Sequence, residues 1–135
     1  MGVDRSAVYF RVQGTGLLDE VSDCLQIRPS WGWDKGELVD PVADKSKKRA
    51  FMRWALNSPV GPDMDTATQL SALLDILRPI SERILLLDSR FSPEVVISYS
   101  GSRGFGFRFG RVELEEIVKL QLGVDIDFYC LRSAD

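Results

Sequence analysis

The chain has 135 residues, 44% apolar and 27% charged, with a net charge of −3 and a pI near 5.0. That is one domain, residues 1–135, long enough to bury a single continuous core. The acidic balance argues against a general nucleic-acid binder, which carries a basic excess. The absence of any histidine removes the usual base or metal ligand of hydrolytic enzymes.

The opening "MGVDRSAVYF" has no apolar h-region, so no secretory leader is expected, and the longest apolar run, Ile84–Leu87, is far too short to span a bilayer. Gly2 and Ser6 fit a myristoylation pattern, but one acyl chain without a polybasic patch anchors only marginally, and the match reads as chance. Cys24 and Cys130 fall on apolar stripes and read as buried free thiols, which suits a reducing cytoplasm.

In chain order, Val8, Phe10 and Val12 alternate in "AVYFRVQ" and predict a half-buried strand. "GTG" leads into a helix with Leu17, Leu18, Val21, Cys24 and Leu25 on one side, and Asp19 and Glu20 in the first turn. Residues 28–48 show little periodicity and, punctuated by Pro29, Gly32, Gly36 and Pro41, read as one long irregular loop. "RAFMRWALN" (49–57) is a second strand with Ala50, Met52, Trp54 and Leu56 on one face. Asp63 or Asp65 caps the next helix, whose stripe is Leu70, Leu73, Leu74 and Leu77. Pro79 is expected to kink or restart it before Ile80, Ile84 and Leu87. "PEVVISYS" and "FGFRFG" read as two strands of a hairpin around "GSR". A third helix over 112–122 turns Leu114, Ile117 and Val118 inward and stops at Gly123. "VDIDFYCL" closes the chain with Val124, Ile126, Phe128 and Cys130 inward. A faint echo between residues 10–21 and 107–117, each strand–turn–helix, hints at a split β-α-β plan. The expected fold is a two-layer α+β sandwich in the order β-α-β-α-β-β-α-β. Its helices pack on one face of a mostly antiparallel sheet of about five strands.

"RGFGFRF" (103–109) imitates an RNA-recognition signature over its first five positions. The face opposite Phe105, Phe107 and Phe109 holds only glycines and Arg108, so the phenylalanines are the face to bury. Three of them contribute about 5–9 kcal/mol of transfer energy. They are read as core, and no nucleic-acid partner is expected. Asp125 and Asp127 share a strand face and could pass for a catalytic pair, but they read as solvated. With Glu113, Glu115 and Glu116 they form a candidate acidic face for a partner. "KSKKR" (45–49) could hold phosphate and reads instead as a solvated run. No Walker loop, Rossmann spacing, zinc cluster or calcium loop is present, and no cofactor or metal is expected.

"LQIRPSWGWDKGE", "MRWALNS", "LSALLDILRPISERILLL" and "LGVDIDFYCL" together resemble the bacterial domain-of-unknown-function family 4279, over roughly Ala7 to Leu131. Trp33-Asp34-Lys35-Gly36 is the most specific part. The resemblance implies a small bacterial cytosolic α+β domain and transfers no catalytic residue. Within it, Trp33 reads as an anchor for the loop, Gly36 as a turn with positive φ and Lys35 as solvated; Trp31 is unassigned. Two uses follow. The leading one is a non-catalytic protein-binding module, in concrete form an immunity-type protein that neutralises a basic bacterial toxin through its acids. The alternative is a small-ligand or nucleotide-binding domain using the Trp31–Gly36 loop.

Overall fold

Along β1 (Arg5–Gly14), Val8, Phe10 and Val12 alternate with Tyr9, Arg11 and Gln13, so the strand's two sides have opposite chemistry. In the computed structural model, which describes residues 5–101 and 106–130, β1 is the central strand of the main sheet. It runs antiparallel to β5 (Met52–Asn57) on one side and β6 (Phe91–Gly101) on the other. β2 (Trp31–Trp33) pairs with the outer edge of β5, and β7 (Gly123–Cys130) runs parallel to β6. The order is β2-β5-β1-β6-β7. β3 (Leu38–Asp40) and β4 (Asp44–Lys48) form a separate antiparallel hairpin.

The helices cover one face. α1 (Leu18–Leu25) buries Val21 and Leu25, and α2 (Thr66–Leu77) buries Leu70, Leu73, Leu74 and Leu77. These pack on Val8, Phe10, Val12, Met52, Trp54, Val95 and Ile97 in one cluster. Each fully buried side chain of this kind contributes about 1.5–3 kcal/mol. Asp65 is the N-cap of α2, its carboxylate accepting from the Thr68 amide at 2.7 Å. Pro79 opens a 3₁₀ turn, Arg78–Ile80, before the short α3 (Ser81–Leu85). That turn lets the chain restart without the amide a proline lacks.

β5 ends at Asn57, and α2 replaces it along the rest of β1. The Gln69 side chain accepts from the Val8 amide at 3.0 Å, donates to the Ser6 carbonyl at 3.0 Å and also donates to the Met64 carbonyl at 2.9 Å. A buried backbone group left alone would cost as much as a lost hydrogen bond. One buried amide thus continues the ladder where the strand stops.

The α+β class, the single helix-bearing face, the Leu stripe and the Asp65 cap agree with the sequence. Several local expectations do not. The 28–48 segment is not irregular: it supplies β2, β3 and β4. Residues 106–110 form no strand, so the second half of the internal echo is absent, while residues 102–105 of the expected hairpin around "GSR" lie outside the described residues; Phe107 and Phe109 are half-buried and pack on the core edge. Phe105 lies outside the described residues. Leu17 is exposed at the head of α1. In α4 (Arg111–Lys119) only Ile117 is buried, and Leu114 and Val118 point outward. Gln121, with φ of 54°, lies just past its end, and Gly123 instead begins β7. Val124, Ile126 and Phe128 do share the sheet side of Val95, Ile97 and Tyr99. No helix covers them fully, and Ile126 and Phe128 stay 53% and 51% exposed.

Candidate functional site

The other sheet face carries no helix. By register it presents Trp31 and Trp33 from β2, Arg53, Ala55 and Asn57 from β5, and Tyr9, Arg11 and Gln13 from β1. Glu94, Val96 and Ser98 from β6 and Asp125, Asp127 and Tyr129 from β7 lie on it too. An antiparallel sheet left open on one side normally shows polar residues there. This one shows aromatic rings as well.

At the β2 end the rings form a row. Tyr9 and Trp31 have centroids 5.4 Å apart, and Trp31 and Trp33 are 5.6 Å apart. The Trp31 indole N–H donates to Asn57 Oδ1 at 3.0 Å, which fixes its ring against β5. Both tryptophans are half-buried. Gly32 between them leaves room beneath: a Cβ there would press on the Arg53 carbonyl and the Leu18 side chain. The Arg49 guanidinium stacks 3.6 Å from the Trp33 centroid, and that of Arg53 lies at 5.2 Å. Arg53 also donates to Gln13 Oε1 at 2.7 Å. Gly36 has φ of +90°, and the 36–37 turn is tied to Arg49 by Gly36 N–H to Arg49 O and Arg49 N–H to Glu37 O. That turn brings the β3–β4 hairpin beside the open face.

At the β7 end the face is closed by charge. Arg11, 7% exposed, donates to Glu94 and, at 2.8 Å, to Asp125. Burial works against its charge, but the hydrogen bonds it donates to Glu94 and Asp125 outweigh that and hold the guanidinium above its ordinary pKa. Burial also pushes the Tyr9 hydroxyl up, against the opposing pull of Arg11. Arg11 pins β1, β6 and β7 together, a structural use of Asp125 that its sequence position does not reveal.

The sequence candidates therefore separate. Trp31 and Trp33 lie together on the open face, with Lys35 exposed in the adjoining turn. Asp125 and Asp127 are half-buried at the far edge of that face. Glu113, Glu115 and Glu116 sit on α4, where Glu116 is held by Arg78 at 2.8 Å. The sequence reading missed Tyr9, Arg49 and Arg53. The signal was the alternation of Arg53 against buried Met52 and Trp54, which assigns it to the open side. Among the described residues no group of three or more His, Cys, Asp or Glu side chains could hold a metal ion. Among the same residues no helix is long and apolar enough to cross a membrane.

Fold and site together define a small α+β domain with one helix-backed and one open sheet face. The chain belongs to the family described as Domain of unknown function (DUF4279), whose model matches residues 4–131. No curated protein and no solved structure matches it.

Proposed function

We propose that this domain is a non-catalytic binding module that receives a ligand on the helix-free sheet face, at its β2 end. The observation that carries the reading is the half-exposed row Tyr9–Trp31–Trp33, flanked by Arg49 and Arg53, neither with a carboxylate partner among the described residues. Aromatic walls with a few fixed polar groups are the ordinary make-up of a ligand site. A bacterial cytoplasmic setting goes with this reading, supported by the half-buried free thiol of Cys24.

To test it, the protein is titrated with fractions of a host-cell extract while its thermal midpoint is followed. Fractions that stabilise the wild type should also stabilise Val118→Lys, altered on α4, and should fail to stabilise Trp31→Leu. Equal stabilisation of all three proteins would remove the open face from consideration.

A protein partner is the second reading, in the form of a basic toxin neutralised by an immunity-type protein. Its support is the exposed apolar pair Leu114 and Val118 on one side of α4, together with exposed Ile126 and Phe128 on β7 and the acidic balance. Its acids are partly engaged, Asp125 by Arg11 and Glu116 by Arg78. A host pull-down that recovers a basic protein, lost with Val118→Lys and kept with Trp31→Leu, would favour it over the first.

A further inference from the structure

Between the β3–β4 hairpin and the open face lies a depression of about 270 Å³, walled by Trp33, Val39, Lys48, Arg49, Phe51 and Arg53. Three of these walls are cations and none is a carboxylate. Three arginines outside it are answered by acids: Arg11 by Glu94 and Asp125, Arg78 by Asp75 and Glu116, Arg90 by Glu20 and Asp88. Among the described residues Lys48, Arg49 and Arg53 have no such partner. The Nε of Arg49, like that of Arg11, is buried with no hydrogen-bond acceptor among the described residues, which costs free energy. Trp33 holds that guanidinium flat by stacking, so its fork is oriented before any ligand arrives. Beside the cations stand two exposed apolar side chains, Phe51 at 54% and Val39 at 42%.

We propose that this depression is a binding site for a small phosphate monoester, with the phosphoryl group on Lys48, Arg49 and Arg53 and a short apolar body against Phe51 and Val39. The proposal rests on the open-face reading and narrows it to one ligand class. A planar guanidinium meets phosphate oxygens through paired N–H donors, and lysine adds a point charge. The volume suits a compact ester rather than a dinucleotide, since pockets for larger ligands run from about 300 to 1,000 Å³. The basic run 45–49, solvated in four of its positions, thereby acquires a use for its last two residues.

The experiment is calorimetric titration of the intact protein with phenyl phosphate, inorganic phosphate and benzoate at two salt concentrations. Phenyl phosphate should bind with one-to-one stoichiometry, more tightly than either of the others, and more weakly at the higher salt. Lys48→Gln and Arg49→Gln should each weaken it by at least about tenfold. Lys48 is exposed, so its variant keeps the test open if Arg49→Gln disturbs the hairpin. No saturable binding of phenyl phosphate, benzoate binding as tightly, or affinity unchanged in Lys48→Gln would overturn the proposal. An extract fraction that still stabilises Lys48→Gln, yet not Trp31→Leu, would overturn the phosphate site while leaving the open-face reading in place.

Discussion

Replacing Gln69 by leucine keeps a side chain of similar size in a helix that otherwise buries leucines, yet it should be among the costly substitutions in this chain. The Val8 amide and the Ser6 and Met64 carbonyls would each lose the partner that Gln69 supplies. Of the three only the Val8 amide is fully buried, and a buried group left unsatisfied costs about 1–3 kcal/mol. Water reaching one or two of them would hold the total near 3 kcal/mol. Urea denaturation of Gln69→Leu should show that loss, and a variant as stable as wild type would mean α2 does not complete the β1 ladder. Nothing in the sequence announced this residue. A glutamine between Thr68 and Leu70 looks like an ordinary polar position, and only the early end of β5 gives it work. Gly36 and Asp65 were legible, because a positive φ and a helix N-cap are local demands on local residue types.

Among elements, legibility follows the range of the contacts that make them. The α2 stripe is a pattern of one turn with the next, and the sequence reports it directly. β2 is three residues with a glycine in the middle, and it exists only because β5 lies alongside. The "FGFRFG" stretch alternates as a strand should, but among the described residues it pairs with nothing, and alternation alone cannot supply a neighbour. For β7 the alternation was read correctly and the burial was not, since whether a face is covered depends on where α4 comes to rest. Ile126→Lys and Val118→Lys should therefore each change stability by no more than about 0.5 kcal/mol, as for other exposed positions. Ile97→Lys, one strand further into the cluster on the same side, should prevent folding. Circular dichroism melts of the three proteins separate these outcomes, and a large loss from Ile126→Lys would mean that β7 is covered in solution.

For the molecule as a whole, the composition and element order disclosed the layered α+β plan, and the Trp33–Gly36 segment disclosed one wall of the candidate site. The remaining walls, Arg49, Arg53 and Tyr9, reach it through strand register, which a single sequence does not state. The same register grades stability across the fold. β1 is paired on both sides and packed against α2, whereas the β3–β4 hairpin stands apart from the main sheet. Amide exchange followed by mass spectrometry should be slowest in β1 and fastest over residues 38–48. Equal protection of the two would show the hairpin docked as firmly as the sheet. The placement of β1 also sets a timetable. It leaves the ribosome before every other strand of its sheet, yet its partners are residues 52–57 and 91–101. Through the synthesis of everything from Ser58 to Arg90, the strand that will become the middle of the sheet has an open flank. A nascent chain at that stage can pair with its neighbours on the same polysome, so the yield of correctly folded protein depends on how quickly that interval is translated.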